Sequence, residues 1–206
     1  MSVHQIHEVR RPQLAGRIAA ARGAVEAAAV VPTEQLDRFE LGEAVAELAA
    51  LESQVAALKL SMLAEADARR VAEESADTGT DAWAARLTGS TRAVMAGGIW
   101  LAKLLRERYD ATREAFAAGD LDVEQVRVIV RAAQRIPDGV SEEERRVAET
   151  ALVEKAVAGM NARRLRQAAR RMLEVVSREL ADQQEKEQLE NEEDRAEPCG
   201  TTTTAR

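Results

Sequence analysis

The stretch from Leu41 to Met62 constrains the fold more than any other. Its apolar residues are Leu41, Val45, Leu48, Leu51, Val55, Leu58 and Met62, at steps of four, three, three, four, three and four. Six steps over 21 residues average 3.5, the period of a seam along one side of an α-helix that packs on another helix. A strand, with its period of two, would scatter the same residues over both faces. A long helix is therefore predicted here, capped by Thr33 and running to about Glu74. The seam has two readings. It packs on other helices of the same chain, or it pairs with a second copy in a homodimer.

The rest of the chain follows the same style. With 206 residues there is room for one domain and a tail. The 46% hydrophobic content suffices for a core, but only 2% is aromatic, so Ala, Leu, Val and Met must fill it. Such side chains, with 32% charged residues, favour helix over strand. An all-α fold of about seven helices is predicted: a multi-helix domain with one long heptad-patterned helix, a helix-turn-helix-like pair and a long C-terminal helix.

Local punctuation sets the boundaries. A first helix over 14–29 ends before Pro32, because the residue preceding proline disfavours the helical region. "SADTGTD" is a turn from which Thr80 caps a short helix over 81–87. Thr91 caps the next, which reaches about Arg108, and a further helix ends at Gly119. Asp122 with Gln125, and Ser141 with Glu144, are spaced as capping boxes for two more. Val126, Ile129, Val130 and Ala133 form the buried face of the first of these. Asn161 caps the last helix, predicted to reach about Glu192. Residues 1–12 are predicted to be loose, 13–195 to form the helical domain, and 196–206 to be a disordered tail.

Several function classes are disfavoured. The net charge of -7 argues against a surface that grips nucleic acid everywhere, though not against a local patch. Among the basic residues only Lys59, Lys103, Lys155 and Lys186 are lysines; the others are arginines, the better bidentate phosphate ligand. Cys199 is the lone cysteine, so no internal disulfide forms. Arg17, Arg22 and Glu26 interrupt the first apolar run, and no stretch approaches the roughly 18 apolar residues of a membrane span, so a cytoplasmic protein is expected. His4 and His7 lack a third metal ligand. There is no phosphate-binding glycine loop and no Ser, His and Asp set. No catalytic, metal or cofactor-binding residue is expected.

Two segments point to DNA. The first is the pair of short helices over 81–105. In a helix-turn-helix the second helix presents its N-terminal residues to the DNA, which here places Thr91 and Arg92 near a phosphate. Further along that helix, Ala96, Gly97 and Gly98 offer no hydrogen-bonding side chain, so little base readout is expected. Trp83, Ala84 and Leu87 should pack inward, and Trp100 inward or against a neighbouring helix. The second segment is "NARRLRQAARR". Arg163, Arg166 and Arg170 share one helical face, with Arg164 and Arg171 beside it, while Leu165, Ala169, Met172 and Val176 form the apolar stripe. These arginines either contact phosphates or pair with the acidic "SEEE" helix before them.

The phrases "ALESQVAALKLSMLAEADAR", "GTDAWAARLTGSTRA", "LAKLL", "AFAAGDLDVEQVRVIVRAAQRIPD" and "ARRLRQAARRMLEVVSRELA" come in an order and spacing that resemble a known family. It is that of the actinobacterial HNH endonuclease-related proteins, which begin with a helical region called domain of unknown function 222. The resemblance covers roughly residues 36 to 195. It implies a helical N-terminal module and a C-terminal HNH nuclease whose histidines hold a divalent metal. This chain departs from the pattern twice. The helix after "STRA" lacks the family's usual arginines, and no histidine follows His7. The resemblance thus implies a member truncated before the nuclease, or half of a split gene. It makes DNA the expected partner, with a scaffold or dimerisation module as the alternative.

Overall fold

The structure is a computed structural model and describes residues 3–196. Among these residues there are nine α-helices and no strand. In chain order they are α1 (Val3–Ala28), α2 (Arg38–Ala68), α3 (Val71–Glu74), α4 (Thr80–Thr88), α5 (Arg92–Glu107), α6 (Asp110–Ala118), α7 (Val123–Ala133), α8 (Glu142–Val157) and α9 (Ala162–Ala196). Contacts divide the chain into two compact units, residues 1–46 and 47–206.

In the first unit α1 begins at Val3, so the segment predicted to be loose is helical from its third residue on. Thr33 does not cap the long helix. It opens a 3-10 turn, Thr33–Gln35, and the cap falls four residues later. The Asp37 Oδ1 accepts from the backbone N–H of Phe39 and Glu40 at 2.6 and 2.9 Å, and the Glu40 carboxylate accepts from the Asp37 N–H at 2.8 Å. Asp37 thereby completes a capping box that satisfies the first free amides of α2. The proposed tail over 196–206 lies outside the described residues apart from Ala196, which ends α9.

In the second unit α2 ends at Ala68, six residues short of the predicted Glu74. Arg70 adopts a left-handed conformation, φ 54°, which breaks the helical ladder and restarts it as α3. The main core joins α5 to α9 around Phe116, Leu101, Leu121, Val126, Ile129, Val130, Leu152 and Leu165, each 1% exposed or less. A smaller cluster, Leu63, Ala84, Ala85, Met95 and Ile99, joins α2, α4 and α5. With so few aromatic side chains the helices are drawn together by small residues instead. Both capping boxes predicted for α7 and α8 are formed, and Asn161 Oδ1 caps α9 by accepting from the Arg164 N–H at 3.0 Å.

Most of the heptad seam is left exposed. Leu41, Val45, Leu48, Val55, Leu58 and Met62 are 41–66% exposed, and only Leu51 is half-buried. What α2 buries is a different, smaller-residue face: Ser53, Leu63, Ala64 and Ala66, with Ala56, Ala57 and Leu60 partly covered. Its alanines allow a close approach that the larger seam residues would prevent. Among the described residues, no helix is long and apolar enough to cross a membrane.

The two central glycines of α5 differ. An added Cβ at Gly98 would sit 3.5 Å from the Leu60 and Leu63 methyl carbons, an ordinary contact, whereas at Gly97 it would meet open space. Neither position requires glycine. Gly97→Ala should therefore stabilise the domain by about 1 kcal/mol, the difference in helix propensity. Chemical denaturation measures it; an unchanged midpoint would mean that α5 is not helical there.

Candidate nucleic-acid interface

The helix-turn-helix-like pair is α4 and α5, joined through Gly89 in the left-handed conformation, φ 66°. Thr91 caps α5 as predicted: its Oγ1 accepts from the Val94 N–H at 3.3 Å. Arg92 is engaged within the pair itself, its Nε donating to Asp81 Oδ2 at 3.0 Å. That bond holds the Asp81 carboxyl below the usual range for an aspartate. A phosphate can take Arg92 only by displacing Asp81. Ala84 is buried and Trp83 packs against the smaller core, but Leu87 is exposed, at 58%. Trp100 is 40% exposed rather than enclosed, because the buried face of α5 is set by Met95, Gly98, Ile99, Leu101, Ala102 and Leu105. The outward surface of α5 between Arg92 and Trp100 is thus small and apolar, with Ala93, Ala96 and Gly97 exposed.

The arginine-rich segment has a different setting. Leu165 and Ala169 are buried, as the stripe predicts, and seat α9 against α7 and α8. This seating brings Arg166 and Arg170 to a cleft of about 180 Å³ whose other wall is α7. Arg127 and Arg131 line that wall, with Arg135 in the turn just beyond its end. Five arginines, four on the two helices and Arg135 just past α7, therefore surround one cleft, and Glu124 is its single acidic lining residue. Glu124 Oε1 binds Arg127 Nη1 at 2.6 Å. Among the described residues no carboxylate pairs with Arg131, Arg135, Arg166 or Arg170. The "SEEE" helix does not neutralise them: Glu143 pairs with Arg146, and Glu144 is taken by the Ser141 cap. Arg163 is exposed on α9 but does not line the cleft. Held in a fixed array, such guanidinium groups suit phosphate oxygens, which they bind bidentately.

The family model described as Domain of unknown function (DUF222) matches residues 42–198. The chain belongs to this family. No curated protein and no solved structure gives a significant match. The matched region contains α3 to α8 whole, the greater part of α2, and all the described part of α9. Both walls of the arginine cleft thus belong to the DUF222 domain.

The α7 arginines escaped the sequence reading, although their signal was present. Arg127, Arg131 and Arg135 recur at steps of four, the spacing that stacks side chains along one side of a helix. The charged row runs beside the stronger apolar pattern of Val126, Ile129, Val130 and Ala133. Arginines on α9 were legible because five of them fall within nine residues.

Two aspartates elsewhere in the DUF222 domain are tied to cations. The Lys103 ammonium holds the Asp67 carboxyl below its usual range, and the Arg86 guanidinium, with Ser75, does the same for Asp77. An aspartate lowered in the folded state contributes stability that is present above the unfolded value of about 4 and lost as pH falls through the folded value. The melting temperature should accordingly be level from about pH 7 to 5 and drop below about pH 4. Asp77→Asn should shrink that drop; an identical pH profile would mean that the Asp77–Arg86 pair does not persist in solution.

Proposed function

We propose that this domain is a non-catalytic DNA-binding module that acts beside an HNH endonuclease-like activity, holding DNA through its phosphates. One observation carries the reading: five arginines from α7, the turn that follows it and α9 converge on one cleft, and four of them lack an acidic partner among the described residues. A net charge of -7 makes such a concentration of cations a local exception rather than a general property of the surface. The absence of catalytic chemistry is proposed from the sequence, which has no histidine after His7 and no nucleophile with a matching base. Thr91 and Arg92 take a minor part, because Arg92 must first release Asp81.

The test is titration with duplex DNA at several salt concentrations. Binding should weaken steeply with salt, with a log–log slope of about 0.9 for each phosphate neutralised. Replacing Arg166 and Arg170 together by Ala should lower the affinity at least tenfold and flatten the slope by about two phosphates, while Arg92→Ala and Arg163→Ala should each do less. Binding that ignores salt, or that survives the double replacement, would remove the basis of the reading.

The exposed seam favours a second reading, a helical scaffold or dimerisation module. Leu48, Val55, Leu58 and Met62 present large apolar side chains to solvent at coiled-coil spacing. Leu41 and Val45 are exposed in the same way. If a second copy covers the seam, sedimentation equilibrium should give twice the monomer mass of 22.5 kDa, and Leu48→Glu with Val55→Glu should return it to the monomer. A concentration-independent monomer excludes this reading.

A further inference from the structure

The cleft's lining specifies more than phosphate affinity. Arg127 and Arg131 stand one step of four residues apart on α7, about 6 Å, and Arg135 follows in the turn that ends the helix. Arg166 and Arg170 add a shorter row, one step long, on the facing helix. Between the rows lie Val128, Ala132, Ala169 and Leu173. None of these is aromatic, and none carries a hydroxyl or an amide. Side chains that bind single strands stack the bases on aromatic rings, and side chains that read sequence need donors or acceptors for base edges. Recognition of a ribose 2′-hydroxyl needs a polar partner too. Between the arginines the cleft offers none of these; its polar groups are the arginines themselves, which suit phosphate oxygens, and Glu124, which is taken by Arg127.

From this we infer that the cleft takes the sugar–phosphate backbone of double-helical nucleic acid, duplex DNA in the first instance, and is blind to base sequence; the inference rests on the DNA-binding reading above. A single strand would leave its bases without stacking partners on the protein. A duplex keeps its bases stacked and paired within itself and presents about one charge per 3.4 Å of axis on each strand, so the five arginines meet a regular row of charges whichever bases lie inside. The duplex also loses less conformational freedom on binding, being rigid beforehand. Glu124 is the counterweight. By occupying Arg127 at 2.6 Å it withholds one of the five cations from the backbone.

Fluorescence anisotropy with the full chain at about 50 mM salt would compare two unrelated 20-base-pair DNA duplexes, single-stranded oligonucleotides of equal length including oligo(dT), and an RNA duplex. The two DNA duplexes should bind within threefold of each other, each single strand at least tenfold more weakly, and the RNA duplex within tenfold of DNA. Glu124→Gln should tighten duplex binding about threefold or more and steepen the salt slope by about one phosphate, while Glu52→Gln, an equal charge change on α2, should leave both unchanged. If single strands bind as tightly as duplexes, if one DNA sequence or the RNA is preferred by more than tenfold, or if Glu124→Gln behaves like Glu52→Gln, the inference is overturned while DNA binding itself stands. If no nucleic acid binds, the DNA-binding reading falls and takes this inference with it.

Discussion

Glu149→Met should destabilise the domain by about 3 kcal/mol, and Glu149→Gln by about 1 kcal/mol. Glu149 on α8 is 4% exposed, and its Oε1 accepts from both the backbone N–H of Thr112 at 2.9 Å and the Thr112 Oγ1 at 2.7 Å. Thr112 is fully buried in the first turn of α6, a helix with no side-chain cap of its own. A residue 37 positions away therefore does the work of a cap. Methionine has a similar volume but leaves a buried amide and hydroxyl without an acceptor, which costs the desolvation of both groups. Glutamine keeps an acceptor in place and should lose much less. Urea unfolding of the two variants separates hydrogen bonding from packing. Equal losses would show that the side chain's bulk, not its oxygen, holds α6 to α8.

The second large effect is expected at Gly119. It ends α6 with φ 92°, and a Cβ there would lie 2.9 Å from the Ala50 carbonyl oxygen and 3.2 Å from the Ala50 Cα. These are backbone atoms, so no rotamer change relieves the clash. Gly119→Ala should cost about 3 kcal/mol, combining strain at a positive φ with displacement of α6 from α2. The same movement would stretch the hydrogen bond from Gln54 Nε2 to the Ala118 carbonyl, now 2.9 Å. Gln54→Ala should be much milder, about 1 kcal/mol, because that group is exposed. Gly89→Ala is the informative comparison: φ is also positive there, at 66°, but nothing lies within 4 Å, so only the strain, about 1 kcal/mol, should remain. Equal losses at Gly119 and Gly89 would show that the approach to Ala50 is unimportant.

Helix identity and most helix boundaries were legible in the sequence because they depend on partners within four residues. The boxes at Asp122–Gln125 and Ser141–Glu144, the caps at Thr91 and Asn161 and the stop at Gly119 are all of this kind. Where local signals competed, the reading failed. Thr33 and Asp37 both have capping side chains, and the backbone chose Asp37, whose box partner Glu40 lies three residues on. The break at Arg70, where the backbone turns left-handed, carried no glycine or proline to mark it.

The arginine cleft divides in the same way. Each arginine row is written in the sequence as a helical spacing, one on α7 and the turn after it and one on α9. That the two rows face each other was decided only by tertiary packing, because Leu165 and Ala169 of α9 bury themselves against a core that includes Val126, Ile129 and Val130 of α7. Arg131 and Arg170 are 39 positions apart, a separation at which no sequence period operates. The exposed seam of α2 makes the converse point. Its 3.5-residue period determined that an apolar stripe exists, but a period describes one helix and not what covers it. The alanine-rich face of α2 allowed the closer approach and took the buried position, leaving the larger side chains to solvent.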